Sequence, residues 1–131
     1  MVNRWKTGLL IGAASDNGKT VGGSAPNFLA TFGESVFVSN GNNDLIQRLD
    51  TRQQRIAARQ RITPSPLVAG LRGVSPAGLA VSPDGRRLYV AELGINAIGV
   101  FDAQTLAPLG HIPTAWYPYR VAISPDGRHL A

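Results

Sequence analysis

The stretch Ala13-Ala14-Ser15-Asp16-Asn17-Gly18-Lys19-Thr20 has the spacing of a relaxed phosphate loop, with Ala13 where the first glycine belongs. In such a loop backbone N–H groups wrap the phosphates, Lys19 would reach the β and γ oxygens, and Thr20 would hold Mg²⁺. That chemistry needs a helix whose N-terminus faces the phosphate. Val21-Gly22-Gly23-Ser24-Ala25-Pro26 follows and cannot start one. The segment reads as strand–turn–strand, with no specific ATP or GTP binding. The two histidines, His111 and His129, fall in different copies of a repeat, so no shared metal site is expected and each reads as an outward strand residue. Spacing assembles no Ser-His-Asp triad and no acid/base pair of carboxylates. Trp116, Tyr117 and Tyr119 form an aromatic knot beside Arg120. It can be a stacking and cation–π patch, or packing around Pro118, the commoner fate of large aromatics.

Composition narrows the classes. The 131 residues are 44% hydrophobic, with 15 Gly and 9 Pro among many short apolar runs, which favours an all-β chain. The absence of cysteine excludes disulfides and thiolate metal sites. The net charge of +5 is carried by 11 Arg and 2 Lys, and five of the arginines lie between Arg48 and Arg61. Without a helix-turn-helix or an RNP-type aromatic pattern, this run reads as a solvated strand face and no nucleic-acid partner is expected. No run is long enough to span a bilayer as a helix. Arg4 and Lys6 before Leu9–Ala14 imitate a signal peptide, but Gly8 and Gly12 interrupt it. The segment reads as a strand, with any targeting signal expected upstream.

These residues must be positioned by a repeat. Ser-Pro-Asp-Gly-Arg occurs at Ser82–Arg86 and again at Ser124–Arg128, 42 residues later. A period in the low forties fits one four-stranded propeller blade. Pro26-Asn27-Phe28-Leu29-Ala30, Pro76-Ala77-Gly78-Leu79-Ala80 and Pro118-Tyr119-Arg120-Val121-Ala122 share a Pro-x-x-(Leu/Val)-Ala pattern. The innermost strands are predicted at Phe28–Thr31, Leu79–Ser82 and Val121–Ser124. The second strands are predicted at Val36–Ser39 and Leu88–Ala91, and the third at Leu45–Asp50 and Ala97–Asp102. The outer strands are predicted at Arg55–Ile62 and Leu106–Ile112. Local propensity makes Asp50–Arg61 a helix; the repeat register makes its second part a strand, and register is preferred. The Ser-Pro-Asp-Gly turns close hairpins: Pro sets φ, Asp bonds the following backbone, and Gly accepts φ > 0.

Antiparallel connectivity then sorts the loops. Asn40–Asp44, Glu92–Asn96 and the blade-to-blade connections Thr63–Ser75 and Pro113–Tyr119 share one rim, and the Asp-Gly turns lie on the other. Binding residues concentrate on such loops, so Asn40, Asn43, Glu92, Asn96, Trp116, Tyr117 and Arg120 are the candidate ligand- or partner-binding residues.

With strands, turns and period in place, the chain resembles the YVTN-type, YncE-like bacterial β-propeller repeat family. Phe37-Val38-Ser39-Asn40 is close to the family's Tyr-Val-Thr-Asn, and Leu88-Tyr89-Val90-Ala91 begins the same motif with Glu92 in place of its Asn. Ile98 to Asp102, Gly110 to Thr114 and Pro118 to Gly127 follow the family pattern in order. The resemblance implies a partial, all-β propeller of adjacent four-stranded antiparallel blades from a seven-bladed parent, in the periplasm or outside the cell. It divides the chain into a preceding strand and connection (1–25), a blade (26–62), an insertion loop (63–75), a second blade (76–112) and the start of a third (113–131). The chain is also similar to the propeller half of fusions with an alkaline-phosphatase-like phosphoesterase domain, through Gly22–Asn27, Ser39–Asp44 and Pro113–Pro118. The residues of such a catalytic domain would lie beyond Ala131. The expected function is therefore a non-catalytic ligand- or partner-binding module of a larger protein. The alternatives are the propeller half of a phosphoesterase and, more weakly, a lactonase-like propeller hydrolase. No catalytic residue, metal or cofactor is expected in the chain itself. The expected partners are the rest of its own polypeptide and an unknown small molecule or protein.

Overall fold

The structure, a computed structural model, describes residues 4–9 and 23–131. The phosphate-loop lookalike and most of the strand predicted over Leu9–Ala14 lie outside the described residues. Two four-stranded antiparallel sheets follow one another along the chain. The first is β1 (Pro26–Phe32), β2 (Ser35–Asn40), β3 (Leu45–Asp50) and β4 (Arg55–Arg61) in that order. The second is β5 (Pro76–Val81), β6 (Arg87–Glu92), β7 (Ala97–Asp102) and β8 (Pro108–Pro113). A single antiparallel bridge, Ile123 to Leu130, opens a further hairpin after them. Inner strands β1 and β5 pack side by side, as adjacent propeller blades do.

Alternation along β2, β3, β6 and β7 explains the core. Phe37 and Ile46 point from the first sheet toward Leu88, Val90 and Phe101 of the second, with Ile62, Val74, Ala103 and Leu106 closing the layer. The opposite face of the second sheet gathers Tyr89, Ala91 and Ile98 against Val121 of the following segment. Burying side chains of this size stabilises the fold by roughly 1.5–3 kcal/mol each. Arg48 bridges the sheets: it is nearly buried, its Nε donates to Gln104 O at 3.0 Å, and its Nη1 donates to Ser35 Oγ at 3.2 Å.

The segment with helical propensity, Asp50–Arg61, is a turn followed by strand β4. Pairing with β3 from Leu45–Arg61 to Asp50–Arg55 satisfies its backbone and overrides local preference. The Ser-Pro-Asp-Gly turns are built alike. Gly85 and Gly127 both sit at φ 71°. Ser82 Oγ donates to Asp84 Oδ1 at 2.6 Å and accepts from Arg87 N at 2.9 Å. Ser124 and Asp126 repeat this arrangement. The Ser82 hydroxyl, then the Arg86 N–H, holds the Asp84 carboxyl below the usual range, and Ser124 with Arg128 does the same for Asp126.

The repeat also shows in the backbone. Among the described residues seven non-glycines have positive φ, and they fall into three sets of matching repeat positions. Ala25, Ser75 and Tyr117 each precede the proline that opens an inner strand. Asp44 and Asn96 each follow a 3₁₀ turn, Gly41–Asn43 or Leu93–Ile95. Gln54 and Leu106 lie in the third-to-outer-strand turns. No helix among the described residues is long and apolar enough to cross a membrane.

Candidate functional site at the loop rim

The rim is stitched by the residues that end its 3₁₀ turns. Asp and Asn tolerate the left-handed conformation better than most residues, and Asp44 and Asn96 adopt it at φ 50° and 54°. The Asp44 carboxylate accepts from Gly73 N and Ser75 N, each at 2.8 Å. Asn96 Oδ1 accepts from Tyr117 N at 2.9 Å. Each turn is thereby tied to the connection into the following blade.

The seven predicted rim residues divide by burial. Asn40, Asn43 and Glu92 are buried. Asn40 Nδ2 donates to Gln47 Oε1 at 3.5 Å. Asn43 accepts from Leu9 N at 2.8 Å and donates to Gly23 O at 3.1 Å. These amides hold the face of the first sheet that meets residues 4–9. The other four are reachable from solvent. Asn96 is half-buried, Arg120 is exposed, and Trp116 and Tyr117 are 90% and 64% exposed.

Arg120 leads to a partner that sequence reading missed. Its guanidinium lies 5.4 Å above the Phe28 ring, and the Tyr119 ring meets Phe28 edge-on at 5.1 Å. Phe28, Gly78 and Arg120 hold the same place in the Pro-x-x-(Leu/Val)-Ala pattern, on three successive inner segments. The middle one must be glycine, because a Cβ there would collide with the backbone of Tyr119 and Arg120. Gly78 N instead donates to Tyr119 O at 3.1 Å. The gap left by Gly78 lets Arg120 and Tyr119 reach Phe28 across it. The signal was an aromatic–glycine–cation series at one repeat position. Beside this cluster, Ile98, Ile112, Trp116, Arg120, Val121 and Leu130 line an open cavity of about 340 Å³.

A second pairing also escaped sequence reading. His111, predicted as an outward strand residue, places Nε2 3.2 Å from Glu92 Oε2. The contact is at ion-pair distance but without hydrogen-bond alignment, and both Glu92 oxygens are buried with no hydrogen-bond partner. Burial pushes the Glu92 carboxyl up to about 8. Gly99 makes room for it, since a side chain there would fall on the carboxylate and on the Phe101 ring. The pair sits between the two sheets. His129 lies elsewhere, 4.0 Å from Asp126 on the opposite rim. Among the described residues no group of three or more His, Asp or Glu could hold a metal ion.

The family model described as Lactonase, 7-bladed beta-propeller matches residues 14–131. The chain belongs to this family. No curated protein sequence matches it. Among solved structures, this lactonase-family chain is similar to hydrazine synthase of Kuenenia stuttgartiensis, at 26% identity and a TM-score of 0.70, covering 82% of this chain and 28% of that one. It is also similar to a protein described as a 6-phosphogluconolactonase from Bacteroides fragilis, at 19% identity and a TM-score of 0.66, covering 90% and 35%. A third is virginiamycin B lyase from Staphylococcus aureus, at 17% identity and a TM-score of 0.60, covering 78% and 32%. The lactonase-family chain thus spans about a third of the length of each. The two likenesses below 25% identity carry the fold alone.

Proposed function

We propose that the chain is a ligand- or partner-binding part of a larger lactonase-family propeller and carries no catalytic centre of its own. The observation that carries this reading is the Phe28–Tyr119–Arg120 cluster at the inner end of the loop rim, with Trp116 and Tyr117 exposed beside it. A cation held over an aromatic face, flanked by open aromatic surface, suits a planar or anionic group. Asn96 positions the Tyr117 backbone. In this reading Asn40, Asn43 and Glu92 act from behind, by fixing the loops. The proposed organisation is two blades, 26–62 and 76–112, with an insertion at 63–75 and a further blade begun from 113. The missing blades of the same polypeptide are the first partner. A periplasmic or extracellular place rests on the YVTN-type resemblance, and a following phosphoesterase domain on the similarity of Gly22–Asn27, Ser39–Asp44 and Pro113–Pro118 to such fusions.

A second reading, lactone hydrolysis by the parent protein, is favoured by the family match over residues 14–131. The two are separated by thermal-shift measurements with a panel of lactones, hydroxy acids and phosphate esters, paired with a lactone-hydrolysis assay. A ligand that raises the melting temperature of the wild type but not of Arg120→Ala supports the binding reading. A shift that survives Arg120→Ala and vanishes in Asp84→Ala or Asp126→Ala places binding on the opposite rim and defeats it. Turnover of a lactone establishes the second reading.

A further inference from the structure

A separate cavity of about 240 Å³ lies on the other face of the first sheet, lined by Leu9, Asn43, Leu45, Arg59, Arg61 and Arg72. Three arginines line one small space. Arg59 and Arg61 stand two residues apart on β4, so both point to the same side. Arg72 arrives from the insertion loop, which is anchored nearby by the Asp44 carboxylate. That carboxylate, engaged by Gly73 N and Ser75 N, does not line the cavity, and no acidic side chain does among the described residues. Arg72 Nη1 is buried without a hydrogen-bond partner. Arg61 is engaged, its Nη2 reaching Leu71 O at 3.5 Å, and contributes wall and field rather than an open donor. Like charges gathered around a partly desolvated space repel one another, and a buried donor without an acceptor is costly. An oxyanion relieves both, because the guanidinium fork matches carboxylate and phosphate oxygens. Leu9 and Leu45 add an apolar wall, so an anion with a short apolar group fits better than a bare ion.

We infer that Arg59, Arg61 and Arg72 form a binding site for a compact organic oxyanion, distinct from the Phe28–Arg120 cluster. The test is isothermal titration calorimetry on the full chain at fixed chloride, with phenyl phosphate, benzoate and inorganic phosphate. The expected result is saturable one-to-one binding of phenyl phosphate or benzoate, tighter than inorganic phosphate; the better of the two identifies a phosphate monoester or a carboxylate as the natural group. Arg72→Gln and Arg59→Gln should each weaken it about tenfold or more. Arg55→Gln, at the far end of β4, should leave it unchanged. Arg72→Lys, which keeps the charge but loses the fork, guards against a folding defect and should also weaken binding, with the circular dichroism spectrum intact. Absence of saturable binding to all three probes, or an equal loss in Arg55→Gln, overturns the site.

Discussion

Burial of Glu92 against Gly99 and Phe101, with its pKa raised to about 8 from 4.5, ties stability to pH through one side chain. Between those values the folded chain holds a proton that the unfolded chain has released, so this contribution to stability falls as pH rises. It is fully present below about 4.5 and gone above about 8. Glu92→Gln keeps the shape and removes the titration. Urea midpoints at pH 5, 7 and 9 should decline more steeply in the wild type than in the variant, and parallel profiles would refute the assignment. Glu92 was conspicuous in the sequence as a departure from the Asn of the YVTN-type motif. Its contact with His111 was not legible, because it depends on the space above Gly99 and on the register that sets Gly99 opposite His111. Phe28 escaped for a related reason: its partnership with Arg120 passes over a glycine in an intervening strand.

Among the elements, the strands were legible and the strain was not. The 42-residue period and the apolar alternation located the eight strands among the described residues and gave register priority over the helical propensity of Asp50–Arg61, whereas Val121–Ser124, predicted as a third inner strand, forms only the bridge at Ile123. Positive φ at Gln54, Ser75 or Leu106 carries no sequence signal, because none of these is a glycine. Such a conformation costs a non-glycine residue roughly 1–2 kcal/mol. Gln54 is exposed, so Gln54→Gly should stabilise the chain by about 0.5–1 kcal/mol, the relief being partly offset by greater freedom in the unfolded chain. Leu106, at the matching place in the second sheet, is fully buried in the core. Leu106→Gly gains the same backbone relief but loses packing worth about 2–5 kcal/mol, and should destabilise. Urea denaturation of the two variants checks both signs. Equal effects would mean that position in the turn, rather than burial, decides the outcome.

At the scale of the molecule, two sheets meet along their inner strands in a family whose propellers have seven blades. Each blade normally buries both faces against neighbours. Ile112, Trp116, Tyr117 and Leu130 instead remain exposed beside the second sheet. The purified 131-residue chain should therefore self-associate through these faces, as read by size-exclusion chromatography at several protein concentrations. A monodisperse monomer with a stability of about 5–15 kcal/mol would show a self-sufficient domain. The outer strands add a consequence of a different kind. Both are sheet edges with open backbone groups, and they are guarded differently. β4 carries Arg55, Arg59 and Arg61, whereas β8 begins and ends on proline, which has no N–H to offer. A charge guard is screened by salt, its reach falling from about 10 Å at 0.1 M to about 3 Å at 1 M; a proline guard is not. Fibrillar assembly in concentrated salt should therefore grow preferentially from the arginine-bearing edge, since the two end prolines still interrupt pairing along β8.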